Sequence, residues 1–164
     1  MPLRVDEQNF IIRPFNKNDL VFLHRMIRDT IEASYTGIYP PRAVDFFKAY
    51  HSKTKIMERS TAGEVLVLVN RDGSILATGS LTKAEISGVF VHRDYQRQGF
   101  GQAIMADLES RAKAKGLSKI SLSVSLPSKR FYVRLGYTVH AECAIDVGDG
   151  QYLKYWPGTK VLKP

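Results

Sequence analysis

One cysteine in 164 residues, Cys143, excludes an intrachain disulfide and with it the stapled frameworks of small secreted folds. Apolar runs are equally scarce. The longest aliphatic stretch, residues 65–69, falls far short of the roughly 20 residues a membrane-spanning helix needs. Residues 1–7 are polar and lack the apolar segment of a secretion signal, so a cytoplasmic protein without a membrane partner is expected. There is no internal repeat, low-complexity tract or Pro/Gly/Ser-rich linker, and the length leaves no room for a second full-sized domain. A single domain over residues 1–164 is therefore expected. The four histidines, His24, His51, His92 and His140, show no metal-ligand spacing, and a lone thiol cannot build a thiolate site, so no metal is expected. His140 and Cys143 stand an odd number of residues apart on an expected strand, hence on opposite faces, which argues against a nucleophilic dyad.

Acids are outnumbered, 16 against 24 Lys plus Arg, giving a formal charge of +8 and a pI near 9.6. Such a surface favours an anionic partner: nucleic acid, a phospholipid headgroup or a phosphate-bearing small molecule. With 44% hydrophobic and 24% charged residues the composition is that of a folded globular chain rather than a disordered one or a rod.

Residues 10–15 read as an opening strand ending near Pro14. Residues 16–34 read as a helix, with Leu20, Leu23, Ile27 and Ile31 at helical spacing and Asn16 and Asp19 marking its start. A second helix is expected over residues 43–52, and the polar stretch 53–63 has no assignable pattern. From Glu64 the period becomes two: strands over 65–69 and 75–81 flank the turn 70–73, and 85–92 supplies another strand. Residues 99–115 form the clearest helix, with Ile104, Met105, Leu108 and Ala112 on one face and Gly116 beyond its end. A strand over 119–125, a short helix over 127–135, and a last hairpin from 137–147 and 151–156 complete a mixed α/β sheet.

The segment Gln96-Arg-Gln-Gly-Phe-Gly101 lies between a strand and that clearest helix. A helix start leaves several backbone N–H groups unpartnered, and glycines allow an anion to approach them. Between Gln96 and Gln102 no Ser, Thr, Asp or Asn can cap the helix, and Arg97 sits where the helix dipole disfavours a cation. A bound phosphate group would account for both; an ordinary glycine-rich turn is the plainer alternative. Other glycine and catalytic motifs fail. The dinucleotide fingerprint lacks its third glycine at Ile104, no Walker sequence occurs, and His92-Arg-Asp94 lacks the asparagine of a kinase loop, Gly99 standing there.

Gln96-Arg-Gln-Gly-Phe-Gly101 resembles the Q/R-x-x-G-x-G/A signature of the GNAT superfamily of acetyl-coenzyme A-dependent N-acetyltransferases. Ala84-Glu-Ile-Ser-Gly-Val-Phe-Val-His92 resembles the family's fourth strand, and Phe131-Tyr-Val-Arg-Leu-Gly-Tyr137 its F-Y-x-x-x-G-[FY] segment; residues 35–62 carry no signature. The resemblance implies an α/β fold of mixed α+β character, a central, mostly antiparallel twisted sheet flanked by helices. It implies that the backbone N–H groups of Arg97, Gln98, Gly99, Gly101 and Gln102 hold the coenzyme pyrophosphate, and that Val89 and Val91 line the pantetheine arm. The Val89 N–H would polarise the acetyl carbonyl. Ser125, where the family often has asparagine, would hydrogen-bond pantetheine with a shorter reach, and Ser128 stands where alanine is common. Tyr132 matches the general acid that protonates the departing thiolate; a core aromatic is the alternative.

Glu85 is the candidate base, since an ammonium must lose a proton before it attacks; a solvated strand glutamate is the other reading. On a regular strand Glu85 and Val89 share a face, unless Gly88 marks a bulge. The expected activity is direct transfer of acetyl from acetyl-CoA to a primary amine in a ternary complex. The acceptor is a small-molecule amine or a peptide N-terminus, walled by Tyr35, Tyr39, Phe46, Phe47 and the turn at residues 148–150. A strongly basic acceptor is disfavoured by the charge, and a homodimer is left open. The rival is a non-catalytic module holding coenzyme A or nucleic acid. Its basic cluster, Arg111, Lys113, Lys115 and Lys119, lacks interleaved aromatics and reads as a solvated helix face, so no nucleic-acid partner is expected.

Overall fold

The computed structural model of the chain describes residues 9–164. Strand β1 (Phe10–Pro14) leads into helix α1 (Leu20–Tyr35), which begins behind a capping box: the Asn16 side chain accepts from the Asn18 N–H, and Asp19 accepts from the Asn16 N–H. Helix α2 (Pro41–Tyr50) starts on a proline, whose missing N–H costs nothing in a first turn. Residues 53–62, unassigned by pattern, form helix α3 (Lys53–Ala62) with Ser52 as its cap; only Ile56 is buried, so no apolar periodicity betrays it. Strands β2 (Glu64–Asn70), β3 (Ile75–Thr82) and β4 (Glu85–Val91) then form a meander, followed by α4 (Phe100–Ala114), β5 (Lys119–Val124) and α5 (Lys129–Arg134).

The expected last hairpin is more divided. Residues 137–147 form two strands, β6 (Thr138–Val139) and β7 (Cys143–Gly148), so His140 lies outside any strand. Strand β8 (Gln151–Val161) runs five residues past Trp156. Pro157 and Gly158 look like a stop in sequence. Yet Pro157 pairs opposite Ser123, its carbonyl accepts the His140 N–H at 2.8 Å, and a Cβ on Gly158 would lie 3.0 Å from Leu122 Cδ1. The glycine is there because β5 side chains occupy its space.

The sheet order is β1-β2-β3-β4-β5-β8-β6, with β7 added to the first half of β8, and every pairing is antiparallel except β4 with β5. One apolar core lies under α4 and α5, the other under α1, α2 and α3. Ile104, Met105, Leu108 and Ala112, the stripe read from the sequence, are completely buried. Each large side chain so buried contributes about 1.5–3 kcal/mol. A Cβ on Gly79 would come within 2.8 Å of Ile104 and Leu108, so α4 packs directly on the backbone of β3. That close approach fixes where the N-terminus of α4 lies relative to β4. Among the described residues no helix is long and apolar enough to cross a membrane.

Candidate active site

The site begins where the sheet parts. Parallel strands β4 and β5 share one register pair, Glu85 with Ser121, supported by the Ser121 N–H to Ala84 carbonyl bond of 2.9 Å. Beyond it the two strands lose contact and a cleft of about 280 Å³ opens, lined by residues 85–90 of β4, by Ser123 and Val124 of β5 and by Ser125 just after it.

A bulge in β4 shapes one wall. Thr78 pairs with Phe90 but Ser80 with Ser87, so Gly88 and Val89 together face Gly79, and Gly88 takes φ +61°. The extra residue reverses the alternation. Ile86, Val89 and Val91 pack with the α4 core, whereas Phe90 joins the α1–α3 core. Glu85, next to Ile86, therefore points away from the Val89 face, and the shared face expected of a regular strand is lost. Its carboxylate is exposed at the cleft, on the side of the Arg59 guanidinium.

The opposite wall carries hydroxyls. Ser125 is buried, its Oγ 2.7 Å from Ser128 Oγ and accepting from the Tyr35 hydroxyl at 3.2 Å. Ser128 Oγ also accepts the Ser125 N–H at 3.1 Å. The two serines thus brace each other, and Ser125 is already engaged within the protein. Tyr132, on α5, is 7% exposed and stacks edge-on with Phe131 and Tyr137. Burial, reinforced by the neighbouring Tyr35 phenol, pushes its pKa well above that of a free phenol, so it keeps its proton.

At the far end of β4 the loop takes the shape an anion needs. Gln96 donates to the Val91 carbonyl at 3.1 Å, Arg97 adopts φ +62°, and Gly99 adopts φ +89° as the N-cap of α4 without a side-chain cap. The first bond of the turn runs from the Ala103 N–H to the Gly99 carbonyl, which leaves the N–H groups of Phe100, Gly101 and Gln102 without helical partners. Gly101 has a second reason to be glycine. It is buried, and a Cβ there would lie 3.2 Å from both Phe131 Cζ and Val91 Cγ2.

Of the residues singled out in sequence, Glu85, Val89, Ser125 and Tyr132 line the cleft; Val91, Arg97, Gln98, Gly99, Gly101 and Gln102 lie beyond it, along the end of β4 and the α4 start. Tyr35, Phe46 and Phe47 also line it. Tyr39 does not: its hydroxyl accepts the Leu126 N–H at 2.8 Å and donates to the Lys154 carbonyl at 3.0 Å, tying three segments together. The turn at 148–150 sits against α2, with Asp149 3.5 Å from Arg42 and a Cβ on Gly148 only 2.7 Å from that guanidinium. Sequence reasoning missed Tyr50, His51, Ile145, Leu153 and Tyr155 on the cleft wall. His51 closes α2 between the rings of Tyr50 and Phe90; its Nδ1 is buried without a partner, and burial, then Arg59, pushes its pKa down to about 3. Nothing in a helix-terminal histidine signals this. Among the described residues no three His, Cys, Asp or Glu side chains gather as a metal site. In the basic cluster, Arg111 bonds Asp107 at 2.6 Å and Lys115 lies 3.3 Å from Glu64.

A split between parallel strands, a bulged strand at one lip and an uncapped helix beyond its end together make a cleft that leads to a helix start able to receive an anion. The acetyltransferase (GNAT) domain pattern matches residues 32–148, and the chain belongs to the GNAT, or GCN5-related N-acetyltransferase, family. A Danio rerio protein named probable N-acetyltransferase 14 is 36% identical over 92 residues, covering 51% of this chain and 32% of that protein. The chain thus matches about a third of the length of that relative. A GCN5-related N-acetyltransferase from Rhodopseudomonas palustris superposes with a TM-score of 0.83 at 21% identity, covering 93% of this chain and 95% of that one. PaiA N-acetyltransferase from Thermoplasma acidophilum, solved with coenzyme A, superposes at 0.73 and 19% identity over 93% and 98% of the chains. At these identities the superpositions establish the fold.

Proposed function

We propose that the protein acetylates a primary amine with acetyl-CoA by direct attack in a ternary complex. The observation that carries this reading is the bulged lip of β4 leading straight to the uncapped start of α4. Acetyl-CoA supplies an acetyl group activated as a thioester. The N–H groups of Arg97, Gln98, Gly99, Gly101 and Gln102 hold its pyrophosphate, aided by the helix dipole. Val89 and Val91 flank the pantetheine arm, with the Ser125 hydroxyl opposite. The bulge takes Gly88 and Val89 out of register with β3, and the Val89 N–H is the donor aimed at the carbonyl oxygen as negative charge develops there.

Glu85, turned by the bulge to the acceptor side, takes the ammonium proton, directly or through a water. Tyr132 gives its phenolic proton to the departing thiolate. A thiol has a pKa near 8.5 and a free phenol near 10. The buried phenol is a weaker acid still, so its transfer depends on the thiolate's being desolvated beside it. The binding-only alternative gains nothing from the basic cluster, whose Arg111 and Lys115 are ion-paired. Consumption of acetyl-CoA thioester over a panel of amines tests the proposal, with the acetyl-CoA melting shift recorded in parallel. Transfer with a salt-insensitive shift is expected; a shift without transfer would reduce the protein to a coenzyme A binder, and steeply salt-dependent nucleic-acid binding would favour the rival.

A further inference from the structure

We propose that the acceptor is an apolar primary monoamine, an arylalkyl or branched alkyl amine carrying neither a carboxylate nor a second cationic group. This rests on the transfer reading above and narrows it by the chemistry of the cleft wall.

The wall holds one carboxylate, Glu85, and no lysine or arginine. His51 is neutral at physiological pH, and the nearest guanidinium, Arg59, donates to the Tyr50 carbonyl at 2.6 Å while lying 5.1 Å from the Tyr50 ring centre. A free amino acid would bring a carboxylate to a cleft whose bordering guanidinium, Arg59, already serves the Tyr50 carbonyl and Glu85, and a polyamine would bring a second ammonium with no second acid. Burying an unpaired charge is costly enough to reject both. The +8 net charge works further against a polycation.

The rest of the acceptor wall is aromatic and aliphatic faces interrupted by serine and tyrosine hydroxyls, with no further charge. Phe46 stacks on Tyr50 with ring centres 6.1 Å apart, Phe90 comes from β4, and Ile145, Leu153 and Tyr155 come from the β7–β8 hairpin. The flat, apolar faces suit an aromatic ring or a branched alkyl group.

The hairpin is fastened over this end. Tyr39 bonds it to the chain after β5, the Arg42 N–H donates to Gln151 Oε1 at 2.9 Å, and the Arg42 guanidinium packs on Gly148. About 280 Å³ must admit both the acyl end of the coenzyme and the amine, which is the low end for a small-molecule site.

Initial rates at saturating acetyl-CoA should be compared for phenethylamine, propylamine, spermidine, phenylalanine and an alanine-initiated tetrapeptide. Phenethylamine is expected to show a kcat/KM at least about tenfold above spermidine, phenylalanine and the tetrapeptide. Ile145→Phe, which fills the cleft, should lower the phenethylamine-to-propylamine ratio about tenfold while the acetyl-CoA melting shift persists. Tyr50→Ala, at an exposed ring, should lower the same ratio if Ile145→Phe does not fold. Spermidine, phenylalanine or tetrapeptide matching phenethylamine overturns the acceptor class and leaves the transfer reading standing, as does an unchanged ratio in a folded variant. No amine consumed despite an acetyl-CoA melting shift overturns the transfer reading itself.

Discussion

The cleft and the helix start beyond it are built by different means. The region proposed to hold the coenzyme is made of backbone: three consecutive segments, β4, the loop to α4 and the first turn of α4, present N–H groups fixed by helix geometry and by the positive φ of Arg97 and Gly99. The acceptor end is made of side chains from four separated elements, α1, α2, β4 and the β7–β8 hairpin. Backbone donors recognise a pyrophosphate whatever the acceptor, whereas side-chain walls can change without disturbing them. On the proposed reading, a reaction common to many acceptors and the choice of one acceptor fall to neighbouring but separate parts of the fold.

The largest expected effect lies at the junction of the two ends. Tyr132→Phe keeps the buried ring and removes the proton, so turnover with both substrates saturating should fall about a hundredfold for every acceptor, with the melting temperature little changed. Equal turnover in the two proteins would leave water as the proton donor.

Next, a charge at the coenzyme end should act on all acceptors alike. Gln98→Glu places a carboxylate on the exposed loop proposed to hold the pyrophosphate, and should raise the KM for acetyl-CoA about tenfold, less so in high salt, with kcat unaltered. Gly101→Asp is a poorer probe, because its Cβ would press on Phe131 and Val91 and threaten the fold before it could repel a ligand. An effect of Gln98→Glu on acceptor preference would break the division between the two ends.

Smaller again is Glu85→Gln, expected to slow transfer severalfold to tenfold at lower pH, where the amine most needs help losing its proton, and to approach the parent as pH rises. A parallel pH–rate profile would return Glu85 to the role of a solvated strand residue.

The smallest effect is on stability and separates the acceptor end from the rest of the fold. His51 has a folded pKa of about 3 against an ordinary 6.5, so below about pH 6.5 the unfolded chain takes up a proton that the folded one refuses. Stability should fall by about 2 kcal/mol between pH 7 and pH 5, and His51→Phe should flatten that slope in melting curves. Asp19 marks a different window. Its bidentate bond to Arg13, at 2.8 Å, depresses its pKa, so its contribution is present above the ordinary carboxyl range and is lost as pH falls below about 4 in both proteins. Identical slopes between pH 7 and 5 would show that His51 is hydrated in solution.

What could be read without coordinates was local. The stripe on α4, the alternation of β5, the capping box of Asn16 and the anion-ready loop at 96–101 each depend on residues within one or two turns of each other. So did the family, whose motifs are the short runs at 84–92, 96–101 and 131–137. Short-range steric and hydrogen-bonding rules act there, and a sequence displays their whole input. The direction of Glu85, the reach of β8 through Pro157 and Gly158, the second role of Gly101 and the buried state of His51 were decided elsewhere: by Gly79 opposite the bulge, by Leu122 beneath β8, by Phe131 on α5, and by Phe90 and Arg59 around the imidazole. These are close contacts between residues far apart in the chain. The cleft wall is of the same kind, because a hydrophobic side chain carries no mark of which cavity it will face; only the packing of α2 against the β7–β8 hairpin set residues of both along one cleft.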